Sequence, residues 1–288
     1  MTANAPGRTD RHYLMCEPVH YTVSYEINPW MDKTRFTDAE LAVRQWRTLR
    51  DTYLDLGHTV ETIDPIPGLP DMVYAANGAT MVDGIVYSAR FRYAERAPEG
   101  PAYQKWFADR GYVTHTAAQV NEGEGDLLTV GNLILAGTGF RTERAAHAEA
   151  QELFGRPVVS LKLMDPHYYH LDTALAVLSS AASDPQIAYY PPAFSQGSQA
   201  VLRQLFPDAV IATERDAQAL GLNAVSDGAN VVVAPGAVDL AGALRERGYT
   251  PIPVDTSELL KGGGGAKCCT LEIRAETRAE ARPDDRTA

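Results

Sequence analysis

Residues 127–163, LLTVGNLILAGTGFRTERAAHAEAQELFGRPVVSLKL, hold one complete supersecondary unit. Two apolar runs meet at Gly131-Asn132, a pair suited to a hairpin turn. TERAAHAEAQELF then has helical composition, and PVVSLKL is extended and β-branched. The order is strand, strand, helix, strand.

The same order returns along the chain. ATMVDGIVYSAR (79–90) turns at Asp83-Gly84, a helix falls near 101–110, and YVTHT (112–116) is extended. Residues 172–190 supply two apolar strands, followed by a helix over 195–206 and the strand AVIAT. NAVSDGANVVVAP turns at Asp227-Gly228 ahead of the helical DLAGALRERG and the extended TPIPVD. Units recurring every ~45–55 residues indicate a repeated supersecondary element. A fifth is assembled from both ends of the chain: CTLEIR (269–274) lies beside HYLMC (12–16), followed by the helix 37–56 and the strand HTVETI. In that helix Leu41, Val43, Trp46, Leu49, Tyr53 and Leu54 fall mostly on one face, and Gly57 ends it. The expected fold is α/β: a ring of five ββαβ units in which pairing of the termini leaves no unit with an exposed apolar side.

The length of 288 residues and the 45% hydrophobic content suit one domain over 11–274. Residues 1–10 and 275–288 are small and polar, and are expected to be disordered tails. No basic stretch followed by an apolar run marks a signal peptide, and no segment approaches eighteen apolar residues, so the expected setting is cytoplasmic. Three cysteines, Cys16, Cys268 and Cys269, fit neither a disulfide framework nor a zinc spacing. The net charge of −11 is spread along the chain, which weighs against nucleic acid and anionic membrane as partners and is compatible with a cationic small molecule. A homo-oligomer is also compatible with it. No phosphate loop, GxGxxG or HExxH is present, so neither cofactor nor metal is expected.

The chemistry-bearing residues cluster in the connectors between units, 64–80, 117–126, 162–171, 213–221 and 255–269, or at their edges. In a circular array equivalent loops converge at one end of the axis. The segment LKGGGGAKCC (260–269) combines four glycines, which allow close backbone approach, with a cysteine next to Lys267, a cation that could favour its thiolate. Composition alone equally describes a flexible loop before buried cysteines. Strand alternation would send Cys268 and Cys269 to opposite faces. In DPHYYHLDT (165–173), His170 and Asp172 sit two apart at the mouth of a strand, on one side; His167 is close by. Asp71 and Asn77 lie in GLPDMVYAAN, and EGEGD (122–126) brings three acids among glycines.

Together these segments resemble the guanidine-modifying superfamily of arginine deiminases, dimethylarginine dimethylaminohydrolases, amidinotransferases and arginine dihydrolases. The motifs that carry the resemblance run from INPWM (27–31) through PDMVYAAN (70–77), EGEGDLL (122–128), GFRTE (139–143) and YHLDT (169–173) to GGAKC (264–268), and they are most like a dihydrolase catalytic domain. The resemblance implies a five-bladed α/β propeller. It makes Cys268 the nucleophile, His170 the acid/base and Asp71 and Asp172 the guanidinium clamp. Glu122 matches a pocket glutamate, although deiminases more often read EGGD. Arg90 and Arg141 match arginines that hold a substrate carboxylate, and Asn28 and Asn77 match dihydrolase pocket asparagines. The implied reaction is hydrolysis of free arginine through a covalent amidino-thioether, carried on to ornithine, ammonia and carbon dioxide. The alternatives are dimethylarginine hydrolysis, whose enzymes typically read HLK where this chain reads HLD, and amidino transfer. Relatives that lack the cysteine are binding proteins; retention of Cys268, His170, Asp71 and Asp172 speaks against that reading.

Overall fold

The computed structural model describes residues 7–274, which form five three-stranded sheets arranged as blades. Blade one joins β1 (His12–Cys16), α1 (Ala39–Asp55) and β2 (Thr59–Ile63). Blade two is β3 (Ala79–Val82), β4 (Ile85–Ser88), α2 (Glu99–Ala108) and β5 (Val113–His115). Blade three is β6 (Leu127–Val130), β7 (Leu133–Thr138), α3 (Arg144–Phe154) and β8 (Val158–Lys162). The short helix α4 (Leu171–Ala174) leads into blade four, β9 (Leu175–Ser179), β10 (Gln186–Tyr189), α5 (Gln196–Leu205) and β11 (Val210–Ile211). After α6 (Glu214–Gln218), blade five is β12 (Val225–Ser226), β13 (Asn230–Val233), α7 (Val238–Glu246) and β14 (Thr250–Pro253). Helix α8 (Ser257–Leu260) precedes β15 (Leu271–Glu272), which pairs antiparallel with β1 through Tyr13↔Glu272 and Leu14↔Leu271. The chain's two ends therefore complete one blade, as the repeat requires.

Every sheet has the same plan, an antiparallel pair followed by a parallel partner reached through a helix. Local chemistry sets the breaks. Asp38 caps α1 by accepting from Leu41 N–H at 2.9 Å, and Gly57 leaves the helix at φ 81°. Asp83 and Gly84 both take positive φ, 49° and 80°, as a tight hairpin turn demands. The buried face of α1 presents Trp46, Leu49 and Tyr53 to Met15, Val232 and Cys269, which fastens blade one to blade five.

Three expectations change in detail. CTLEIR forms a strand only at Leu271–Glu272; Cys268 and Cys269 lie in the turn before it, and both are buried against the same core cluster. AVIAT is reduced to two strand residues. The HxD pair is on a helical turn, with His170 as N-cap of α4 and Asp172 inside it. Residues 1–6 and 275–288 lie outside the described residues, so the expectation for those tails falls there too; residues 7–10 are described, and Thr9 N–H donates to Asp227 O at 2.8 Å. No described helix is long and apolar enough to cross a membrane.

Candidate active site

The connectors at one end of the ring bring together six of the residues singled out above. Cys268, His170, Asp71, Asp172, Glu122 and Asn77 are each at most 2% exposed. Burying so many polar groups costs free energy unless they satisfy one another.

Cys268 Sγ lies 3.4 Å from Asp172 Oδ2, with the thiol donating to the carboxylate. Burial raises the thiol well above its ordinary value, and the Asp172 charge and Cys269 add to the effect. Asp172 is itself pushed up to about 7 by burial, against the opposing pull of Lys267 and of hydrogen bonds from Cys268 and Asn223. In the resting state the site is therefore arranged around a neutral thiol. Lys267, expected to favour the thiolate directly, instead turns its ammonium to Glu124 Oε2 at 2.8 Å and Thr270 O at 3.0 Å.

His170 Nε2 is 2.8 Å from Glu122 Oε2, which also receives Arg141 Nη1 at 2.8 Å. Burial alone would raise the Glu122 carboxyl, but Arg141 and His170, with Arg96, hold it well below the usual range. The Glu122 carboxylate accepts from His170 Nε2–H. That leaves Nδ1 as the free nitrogen, and Nδ1 has no hydrogen-bond partner. The glycine of EGEGD next to it has a steric reason: a Cβ on Gly125 would stand 2.3 Å from Asn77 Nδ2 and 3.3 Å from His170 Nδ1.

Asp71 is raised by burial and pulled back chiefly by Arg96, whose Nε stands 3.9 Å from its Oδ2. Arg96 is the main residue the sequence reading missed. Its guanidinium is buried, bonds Glu99 Oε2 at 2.7 Å and Asn77 Oδ1 at 2.8 Å, and lies over the Phe91 ring at 4.6 Å. The i,i+3 spacing Arg96 to Glu99 was its one sequence signal. Arg90, by contrast, is not brought into the cluster: it is exposed, and its side chain donates to Ala118 O at the end of the blade-two hairpin. Arg141 is in place, held between the rings of Tyr93 and Tyr169 at 4.8 and 4.6 Å.

Residues 17–38, without regular structure, cross over this cluster. Arg141 Nη2 donates to Ile27 O at 3.0 Å, Asn28 Nδ2 to Gly262 O at 3.0 Å, and Trp30 Nε1 to His167 O at 2.7 Å. Asn28 sits against the glycine run; a Cβ on Gly263, at φ 92°, would meet its Oδ1 at 2.8 Å. His167 is exposed and serves this cover, apart from the cluster.

Asn223 is the second residue missed. It reaches in from the loop after α6 to contact Cys268 Sγ at 3.1 Å. Among the described residues no group of three or more His, Cys, Asp or Glu side chains could hold a metal ion.

Across 263 residues the chain is 56% identical to N(G),N(G)-dimethylarginine dimethylaminohydrolase of Mycobacterium tuberculosis, covering 91% of this chain and 86% of that protein. The chain belongs to the guanidine-modifying, or pentein, superfamily. The bifunctional arginine dihydrolase/ornithine cyclodeaminase ArgZ of Synechocystis is 36% identical over 271 residues, and this pentein spans 92% of itself but 38% of that longer protein. The substrate-bound N-terminal domain of ArgZ, a cysteine-to-serine variant of a cyanobacterial arginine dihydrolase, superposes at TM-score 0.87 with 35% identity, covering 92% of this chain and 99% of that one. The Pseudomonas aeruginosa dimethylarginine hydrolase, at 18% identity and TM-score 0.76, shares the fold. No protein-family model matches this pentein.

Proposed function

We propose that this pentein is a cysteine-dependent amidine hydrolase acting on free arginine, and that it runs two rounds to ornithine. The observation that carries the reading is a pair of orphaned atoms inside the buried cluster: Asp172 Oδ1, an acceptor without a donor, and His170 Nδ1, without any partner. A planar cation carrying N–H groups satisfies the first, and a proton in transit uses the second.

A guanidinium is a poor electrophile, so it must be held and polarised. Asp172 and Asp71 clamp its N–H groups. As the cation settles on Asp172 it displaces the thiol proton, which passes to His170 Nδ1, and stabilises the thiolate left behind. Cys268 Sγ bonds to the central carbon, His170 hands a proton to the departing ammonia, and an amidino-thioether remains. His170 then takes a proton from water, the water oxygen bonds to the carbon, the C–S bond breaks, and citrulline leaves. In a second round on citrulline, water releases another ammonia, carbon dioxide and ornithine. Asn77 and Asn28 support that round, because an amide can donate to a ureido oxygen as well as accept from its NH2. Arg141 and Arg96 are the cations available to the amino-acid end. Arg90, which the resemblance put beside Arg141, has no part in this reading. The free thiols Cys16, Cys268 and Cys269 suit a cytosolic setting.

A second reading has its own support in the 56% identity to the mycobacterial dimethylarginine hydrolase. Methyl groups remove N–H donors, and in this site they would leave a buried acceptor unpaired, which disfavours that substrate. Incubating the protein separately with arginine, citrulline and asymmetric dimethylarginine, with Cys268→Ser as control, decides between them. Ornithine from both arginine and citrulline, lost in the variant, is expected. Dimethylamine from the methylated substrate alone would replace the first reading with the second, and no turnover of any of the three would overturn both.

A further inference from the structure

We propose that Asn223 is a further catalytic residue of this site, the fixed donor that stabilises the Cys268 sulfur as it becomes a thiolate; this rests on the reading of Cys268 as nucleophile. Its amide makes four hydrogen bonds. Oδ1 accepts from Gly265 N–H at 3.0 Å and from Cys268 N–H at 3.0 Å, while Nδ2 donates to Asp172 O at 3.1 Å and to Cys268 Sγ at 3.1 Å. The amide has one orientation only. Turning it over would set NH2 against two N–H groups and its oxygen against a carbonyl and a sulfur. Hydrogen bonds rather than packing hold it there, because Asn223 also borders an apolar cavity of about 480 Å³ lined by Leu220, Ala234, Leu260 and Ala266.

The loop that delivers Asn223 carries backbone strain. Leu220 has φ 55°, and its carbonyl accepts from Asn223 N–H at 3.0 Å. A leucine in the left-handed region is strained and persists where the surroundings over-determine it. Asn223, delivered by that turn, joins the turn of Cys268 to α4 by hydrogen bonds to both.

The ionisable groups around the sulfur make such a donor necessary. Asp172 and Tyr169 face it from the segment running into α4, Cys269 and Lys267 belong to its own turn, and the Tyr74 ring and the Cys268 Cβ both border Gly264. Asp172 disfavours a negative sulfur, and the Lys267 ammonium is engaged by Glu124. Before a cationic substrate arrives, Asn223 is the side-chain donor to the sulfur.

The test is the pH dependence of Cys268 alkylation by iodoacetamide in the substrate-free protein, with the adduct located on Cys268 rather than Cys269 by tandem mass spectrometry. Asn223→Ala removes all four bonds; Asn223→Asp keeps the two accepted ones and removes the NH2 donor. For both variants the midpoint is expected to rise by a pH unit or more, so that alkylation at pH 7 slows about tenfold. A wild-type profile in Asn223→Asp with an impaired Asn223→Ala would reduce Asn223 to a backbone clamp and overturn the proposal, as would wild-type profiles in both. Because alkylation needs no substrate, a failed turnover assay on the parent protein sinks the functional reading without deciding this one.

Discussion

Asp172 holds a proton that an unfolded chain would release. Its folded value is about 7, raised chiefly by burial, against roughly 4 for a free carboxyl. The folded form therefore binds more protons between those values, and the stability this contributes is complete below about pH 4 and gone above about pH 7. Asp172→Asn, which cannot ionise, is expected to melt higher than wild type at pH 8, on the order of 5 °C, with the gap closing as pH falls towards 4. Calorimetry across that range checks it, and an equal gap at every pH would refute it. The same variant should lose turnover, since the amide presents a neutral group to the cation. Cys268, His170, Asp71, Asp172 and Glu122 could all be picked out in the sequence because each stands in a short polar motif within a connector or at its edge. Arg96 and Asn223 could not. Arg96 is set in AERAPEG and Asn223 in ALGLNAV, unremarkable stretches whose importance comes from what lies opposite in space: Asp71, Asn77 and Glu99 for one, a sulfur and two backbone N–H groups for the other. Arg90 misled for the converse reason, as a hairpin-end arginine that points to Ala118 O.

Among the elements, residues 17–38 lie across the cluster, tied down by hydrogen bonds at Ile27, Asn28 and Trp30. The tether at Trp30 is one hydrogen bond to His167 O at 2.7 Å plus an edge contact between the two rings at 6.2 Å. A hydrogen bond of this kind contributes about 1 kcal/mol, so Trp30→Ala should raise the population of open cover about fivefold. Iodoacetamide should then label Cys268 in the resting protein about fivefold faster at fixed pH, and the KM for arginine should rise; an unchanged labelling rate would remove Trp30 from the gate. Helices and hairpins were readable because their signals are local: the stripe of Trp46, Leu49 and Tyr53, or the turn at Asp83-Gly84. The cover had no such signal, because its conformation is set by partners in other blades. The pair His170 and Asp172, expected at the mouth of a strand, lies on a helical turn for a related reason. Asp126 Oδ1 accepts Leu171 N–H at 3.0 Å and Thr173 Oγ1 donates back to His170 O at 2.7 Å, tertiary and capping bonds that override strand propensity.

At the scale of the ring, the axis holds an ionic network. Glu124, the middle acid of EGEGD, turns away from the cluster and binds Lys267 and Arg274, while Arg11 bonds Glu272 at 3.0 Å and Arg274 bonds Glu272 at 2.7 Å. Removing the one anion shared by Lys267 and Arg274 leaves both cations partly buried beside each other, a loss of about 3 kcal/mol by analogy with other broken buried pairs. Glu124→Gln is therefore expected to lower the melting temperature by roughly 6–12 °C while Cys268 remains reactive to iodoacetamide; unaltered melting would show that the network contributes nothing net. The ring itself was legible because its period survives in sequence, and even the departure from EGGD now has its explanation in this second carboxylate.

β15 begins at Leu271, three positions beyond Cys268, and supplies the partner that β1 needs on its open edge. The residues that close the circle and Cys268 thus emerge from the ribosome together, after Asp71, Glu122, His170, Asp172 and Asn223 have all been made. A nascent chain shorter than this has an unfinished propeller and lacks Cys268, so the ring and the buried cluster are completed at the same stage of synthesis.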